Sequence, residues 1–400
     1  MNSRWPFRSA SLVRVQASRA PTIARVKPAD ARVREVTRLF LRLGVLGFGG
    51  PAAHIAMMRD EVVARKGWID DDEFLDLVGA TNLIPGPNST ELAMHLGAKR
   101  AGGRGLVVAG VSFIGPAVVI VGVLAWLYKR YGTDPAAVDL RYGILPVIIA
   151  IVAHALIGLG RTSLTKVVNV VVAAGALAAY RFGVHELVIL VVAGAITAGW
   201  RVRGSARPSS MSLLLVPMLA VSERTRVTLW RLFVVFAEIG SVLYGSGYVL
   251  LAFLQRNVVD DLGWITSQQL LDAIAVGQIT PGPVFSTATF IGWQIDGPAG
   301  AAVATAGIFL PSFVFVALLG RIVPWMQRRP AAKAFLAGVT AASLGLMGGV
   351  LIDLTDTAIR DVLTFAIALA ALVALVRTKL NSAWLIGAGV AVGLVHALVA

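Results

Sequence analysis

Residues 105–128, GLVVAGVSFIGPAVVIVGVLAWLY, run without one charged side chain, and so do residues 298–320, PAGAAVATAGIFLPSFVFVALLG. Each run is long enough to cross a hydrocarbon core, which takes roughly 20 apolar residues. The rest of the chain agrees. It is 400 residues long, 57% hydrophobic and 14% charged, where soluble domains carry about 25% charged residues. Mean hydropathy is +0.77. A soluble fold would have to hide more apolar surface than a chain of this length can bury. The expected class is an all-α polytopic membrane protein.

The chain has no cysteine, which removes disulfides, thiolate nucleophiles and cysteine-held metals. Its net charge is +14. Ten of the Lys and Arg residues fall within the first 42 positions, opposed only by Asp30 and Glu35. Residues 1–34 lack periodicity and read as a basic, disordered tail held on the cytoplasmic side, although a transit peptide shares that composition. No nucleic-acid motif accompanies the charge.

Two copies of one unit follow. About six hydrophobic elements lie in residues 35–200, near 36–58, 74–97, 105–128, 142–160, 164–180 and 182–200. A basic linker, 201–228, contains RVRGSARPSSM and SERTR. Six more elements lie in residues 229–400, near 229–255, 268–292, 298–320, 332–352, 361–376 and 382–400. A shift of 196 residues pairs Phe40 with Phe236, Gly44 with Gly240, the GWI of 67–69 with the GWI of 263–265, and one PGP with another. After PGP the shift is 195, pairing Gly97 with Gly292 and Pro116 with Pro311. Internal duplication of this kind is common in transporters. Loop charge leaves open whether the copies are inverted or parallel. Trp126, Trp200, Trp230, Trp293, Trp325 and Trp384 lie near element ends, as interfacial anchors do.

Each copy is interrupted twice. The first element breaks at Gly49, Gly50 and Pro51, and at Gly245, Ser246 and Gly247 in the second copy. The second element breaks at Pro85, Gly86 and Pro87, and at Pro281, Gly282 and Pro283. Proline removes a backbone donor and glycine relaxes the chain. Freed backbone groups at membrane depth are tolerated where they line a cavity or meet protein partners. Matched interruptions are therefore the best sequence pointer to a transport site. Helix N-termini there suit an anion. Asn88 and Ser89 follow the first PGP, and Ser286 and Thr287 the second. These neutral groups can surround an oxyanion without neutralising it. Asn88 with Glu91 is also a capping pattern, so a purely structural role competes.

Charged candidates for attraction or coupling are Arg42, Glu91, Lys99 and Glu238, the last being the repeat counterpart of Arg42. No GxxxxGK[ST] motif is present. The five histidines, His54, His95, His154, His185 and His396, show no metal-ligand spacing. An enzyme has no constellation to stand on, and no cofactor or metal is expected.

The blocks FGGPAAHIAMM…GWIDDDEFLDLVGATNLIPGPNSTELAMHLGAKRAGGRG and YGSGYVLLAFL…GWITSQQLLDAIAVGQITPGPVFSTATFIG resemble the chromate transporter family in its long two-domain form. The likeness covers residues 36–200 and 229–400. It implies a multi-pass carrier of the inner (plasma) membrane that exports chromate, driven by the proton-motive force, and so confers chromate resistance. It implies sulfate as a related or competing oxyanion, the lipid bilayer as surroundings, and leaves a homodimer open. The second copy departs from the pattern with YGSG in place of an FGG-type run, which bears on substrate preference. The alternatives are a sulfate or other oxyanion carrier, and a non-transporting membrane subunit or enzyme.

Overall fold

The computed structural model describes residues 29–48, 50–132, 135–203, 227–243, 249–327, 329–378 and 380–399. Residues 1–28 of the expected tail, most of the linker, and the motif residues Gly49, Gly245, Ser246 and Gly247 lie outside the described residues, while residues 29–34, expected as disordered tail, are helical and open α1, whose later turns bury Val36, Leu39 and Phe40. Among the described residues every regular element is helical.

In the first copy these are α1 (Ala29–Leu46), α2 (Gly50–Arg59), α3 (Asp71–Thr81), α4 (Asn88–Tyr131), α5 (Pro135–Ser163), α6 (Val167–Arg181) and α7 (Glu186–Arg203). The second copy repeats them as α8 (Leu229–Val242), α9 (Leu250–Phe253), α10 (Ser267–Ile279), α11 (Thr287–Gln327), α12 (Pro330–Ala358), α13 (Val362–Arg377) and α14 (Ser382–Val399). A π-helical turn extends α2 through Asp60–Arg65 and α9 through Leu254–Asp261. Four helices, α4, α5, α11 and α12, are long and apolar enough to cross a membrane by length and composition. The chain is a multi-pass membrane protein.

Local signals recur in both copies. Asp70 caps α3 by accepting from the Glu73 N–H, and Thr266, its counterpart, caps α10 through a reciprocal bond with Gln269. Both α4 and α11 fold back on themselves. The backbone leaves helical geometry at Ala101 and Gly102 (φ 65°) and again at Asp296 and Gly297 (φ 56°). The positive φ requires glycine at the reversal. The two limbs then pack closely, Gly97 against Gly105 and Gly292 against Gly300. Helices in lipid gain little from excluding water, so close approach at small residues holds them together.

The copies interlock. At the centre α4 packs on α11, flanked by α1 and α8. Outside this, α5 packs against α13 and α14 of the other copy, and α12 against α6 and α7. One core cluster draws on both copies, including Ile148, Phe236, Phe285 and Met347. A second, around Phe40, Phe74 and Phe113, belongs to α1–α4 alone. The outer faces are apolar, with Val111, Val119 and Val123 on α4 and Leu363, Phe365 and Leu369 on α13 all more than half exposed. Trp126, Trp200, Trp230 and Trp384 are exposed near helix ends.

Candidate functional site

Each PGP reaches across to the other copy. The Gly86 N–H donates to the Leu243 carbonyl at 2.8 Å, and the Gly282 N–H donates to the Gly47 carbonyl at 2.8 Å. The 196-residue shift that relates the copies relates both pairs, Gly47 to Leu243 and Gly86 to Gly282. The contact is therefore reciprocal, as in a two-fold arrangement. Gly47 and Leu243 sit at the ends of α1 and α8, just where the first element of each copy is interrupted. Each PGP break is therefore joined to the end of the other copy's first helix.

Backbone geometry explains why the tripeptide has this composition. Gly86 has φ +137° and Gly282 φ +102°, conformations that side chains avoid. Space is also short. A methyl group on Gly86 would overlap Glu91 Oε1 and Ser312 Oγ, and one on Gly282 would lie 2.8 Å from the Ala117 methyl. The flanking prolines carry no N–H that would need an acceptor. Pro85, Pro87, Pro281 and Pro283 are all buried.

The two halves of the crossing differ in their side chains. In the first, Ser89, Thr90 and Glu91 open α4 and are 1%, 0% and 0% exposed. Thr90 Oγ1, both Glu91 carboxyl oxygens and Ser312 Oγ lack a hydrogen-bond partner among the described residues. The Ser312 hydroxyl faces the Glu91 carboxyl without reaching hydrogen-bond geometry. His54, on α2, is 1% exposed. Its Nδ1 lies 3.3 Å from Ser89 Oγ and its Nε2 2.9 Å from the Gly47 carbonyl. Asn88 Nδ2 donates to Asn82 Oδ1 at 2.5 Å. Gly50 and Pro51 start α2 at the rim, half-buried.

In the second half two threonine hydroxyls are satisfied internally. Thr287 donates to the Val284 carbonyl at 2.8 Å, and Thr289 meets Thr305 at 2.7 Å. Ser286 is buried, its N–H bonded to the Pro283 carbonyl at 3.0 Å. Leu250 occupies the position that corresponds to His54, and Ala117 the one that corresponds to Ser312.

The structure thus joins both PGP motifs to the ends of α1 and α8 and sets Ser89 and Glu91 beside them, while Asn88, Ser286 and Thr287 lie in the segments that follow each PGP and Gly50 and Pro51 at the start of α2. Three charged candidates stand elsewhere. Arg42 is mostly exposed and pairs with Glu61 at 3.4 Å. Lys99 pairs with Glu73 at 2.6 Å on the surface. Glu238 is exposed, on the side of α8 opposite buried Phe236, Ile239 and Gly240. Conversely, His54 and Ser312 carry no sequence motif. Their signal is a break in the repeat: a polar residue in one copy stands where the other has Leu250 or Ala117.

Chemically, the first turn of α4 presents N–H groups with no acceptor inside the helix, together with the partial positive charge of the helix end. Buried hydroxyls and an unpaired carboxyl surround it. Leaving such groups unpaired costs about 1–3 kcal/mol each, so a polar ligand there has interactions to recover.

The comparisons with known proteins agree with this architecture. Residues 34–200 and 230–394 match the chromate transporter family in two separate segments. The chain is 33% identical over 380 residues to the chromate transport protein of Cupriavidus metallidurans, covering 91% of this chain and 93% of that one. It is 31% identical over 364 residues to the probable chromate transport protein of Synechococcus elongatus, covering 88% and 92%. It is 32% identical over 338 residues to a chromate transport protein of Pseudomonas aeruginosa, covering 79% and 80%. No solved structure matches the chain. Two matched segments, full-length relatives and a fold of two interlocked copies lead to one assignment: this chain belongs to the chromate transporter family.

Proposed function

We propose that this chain is a secondary transporter that exports chromate across the inner (plasma) membrane, energised by the proton-motive force, and thereby confers chromate resistance. The observation that carries this reading is the reciprocal bond of each PGP to the end of the other copy's first helix, with the N-terminus of α4 opening into a buried set of uncharged hydroxyls. A tetrahedral dianion suits that setting. Helix-end N–H groups, Asn88, Ser89 and Thr90 can bind it, and among the described residues no Lys or Arg is bonded to these side chains. The names of the full-length relatives support chromate over other oxyanions. Sulfate has the same shape and charge and is the natural competitor.

The membrane potential supports the direction. An inside-negative potential favours outward movement of negative charge by about 2.3 kcal/mol per charge per 100 mV. Two titratable side chains lie buried at the crossing, Glu91 and His54, so a proton can enter the cycle. Arg42, Lys99 and Glu238 are then surface groups that gather or guide ions.

Everted membrane vesicles containing the chain test the reading. Labelled chromate is expected to accumulate when the membrane is energised, to stop when the proton-motive force is collapsed, and to be reduced by excess sulfate. Accumulation of sulfate but not chromate would replace the substrate. Accumulation of neither, with the protein verified in the membrane, would overturn the reading.

A further inference from the structure

The carbonyl of Gly47 can only accept hydrogen bonds. It takes one from the Gly282 N–H at 2.8 Å and faces His54 Nε2 at 2.9 Å. That second contact is a hydrogen bond only when Nε2 carries a hydrogen. The neutral imidazole then has its lone pair on Nδ1, and Ser89 Oγ, 3.3 Å away, must donate to it. In this state the one hydroxyl hydrogen of Ser89 is committed to His54.

A proton added to Nδ1 reverses this arrangement. Nδ1–H now donates to Ser89 Oγ, and the Ser89 hydrogen is released to another acceptor. Nε2–H and its bond to Gly47 are unchanged. No covalent bond between heavy atoms is made or broken. The crossing gains one positive charge and one free O–H donor in the first turn of α4, beside the N–H groups of the helix end. Both changes favour an anion there, and by reciprocity an anion there favours the proton.

We infer that His54 takes up the proton that accompanies anion binding, and that it reports the anion through Ser89. The inference rests on the exporter reading and names the group that does the coupling within it. His54 acts through Ser89, so it is a positioning residue.

The surroundings of His54 isolate it for this role. Its helix packs against α1, the Asp60–Arg65 turn and α4. On α1, Arg42 is engaged with Glu61. In the turn, Arg65 bonds Asp60 at 2.8 Å and Glu61 at 3.1 Å. On α2 itself, Arg59 pairs with Asp71 at 2.7 Å. On α4, Lys99 pairs with Glu73 and Arg100 with Glu35, while Glu91 turns towards Gly86 and Ser312, and His95 is one turn further along. Among the described residues none of these forms an ion pair with His54. Its nearest ring is Phe113, edge-on at 5.2 Å. The charge that His54 lacks is the one an anion would bring. The second copy has Leu250 at the matching position and no equivalent relay.

The cycle has a consequence for the driving force. A dianion that leaves with one proton carries one net negative charge outward. Export is then driven by the membrane potential and opposed by a pH gradient that is acid outside.

Proton counting tests the inference directly. Chromate is titrated calorimetrically into the purified full-length protein in two buffers of different ionisation enthalpy, at a pH where free chromate is wholly the dianion. The difference between buffers counts protons. Wild-type protein is expected to take up protons, approaching about one per anion. His54→Gln keeps amide groups for Gly47 and Ser89 but cannot titrate. It should bind chromate about tenfold more weakly, as for one lost charge-assisted hydrogen bond, and take up none. Glu91→Gln should retain the uptake.

Equal uptake in wild type and His54→Gln overturns the inference. So does zero uptake, or proton release, in a wild type that binds chromate, and so does loss of uptake in Glu91→Gln alone. If His54→Gln does not fold, the sign in wild type and its persistence in Glu91→Gln still decide. A wild type that binds no chromate overturns the exporter reading itself, and this inference with it.

Discussion

The two PGP crossings are copies in backbone and opposites in chemistry. Both carry a glycine at positive φ between buried prolines, and both donate that glycine N–H to the end of the other copy's first helix at the same distance. Around the first, Thr90, Glu91 and Ser312 hold polar atoms without partners, and His54 links Ser89 in the following turn to the Gly47 carbonyl that the second PGP also uses. Around the second, Thr287 and Thr289 are satisfied and Ala117 takes the place of the serine, while the repeat counterpart of the histidine is Leu250. Duplication supplies the scaffold twice, and the unsatisfied groups that a ligand can use gather beside the first PGP, Thr90 and Glu91 from the first copy and Ser312 from the second. The second crossing then serves to hold the first in place. A similar contrast separates α3 from α10. Asp272 on α10 is buried and bonded to the Tyr128 hydroxyl at 2.6 Å, with Arg141 at 3.4 Å. Its counterpart Asp76 is exposed.

The largest test of this contrast removes the first break. Pro85→Ala with Pro87→Ala restores two backbone donors and lets the helix run on. Chromate accumulation in vesicles should fall by at least about tenfold, equivalent to roughly 1.4 kcal/mol, while the amount of protein in the membrane stays similar. Normal accumulation by the double variant would mean that the break is not the site.

The next test compares the two serines. Ser89→Ala should weaken chromate binding by roughly tenfold or more, since a hydrogen bond to a charged group contributes about 1.5–3 kcal/mol. Ser286→Ala should change it by no more than about twofold, as expected for a site that makes no unique contact with the anion. Titration of both purified variants gives the ratio, and equal losses would make the crossings equivalent.

Asp272 and Asp76 sharpen the comparison at the level of stability. Asp272→Asn weakens the links to Tyr128 and Arg141 and should cost about 1–3 kcal/mol. Asp76→Asn lies on an exposed face and should stay within about 0.5 kcal/mol. Thermal melts in detergent read both, and a larger drop for Asp76→Asn would reverse the assignment of the buried copy. The smallest effect is expected from Lys99→Ala. Its exposed bond to Glu73 contributes about 0–1 kcal/mol, and chromate affinity should not change. A clear loss of affinity there would make Lys99 part of the binding site and not a surface guide.

Much of this molecule is written in short stretches of chain. The uncharged runs 105–128 and 298–320 become the second limbs of α4 and α11 because length and hydropathy alone decide what can lie in lipid. The twelve expected elements all appear as helices or helix pairs, and Gly86 and Gly282 mark the breaks because proline and glycine act on the backbone where they stand. The reversal at Ala101 and Gly102 is less visible. AKRAGGR reads as a polar loop, and only packing shows the limbs pressed together at Gly97 and Gly105.

What the sequence by itself determined is therefore the membrane class, the duplication and the position of each break, all set by local composition and backbone restriction. The tertiary structure decided the rest. It joined Gly86 to Leu243 and Gly282 to Gly47, set His54 against Ser89 across 35 residues of chain, turned Glu91 inward, and left Arg42, Lys99 and Glu238 outside the crossing. The physical reason is that a side chain's partner depends on how helices cross, and the crossing is set by close packing over the whole bundle, which no single stretch of residues encodes.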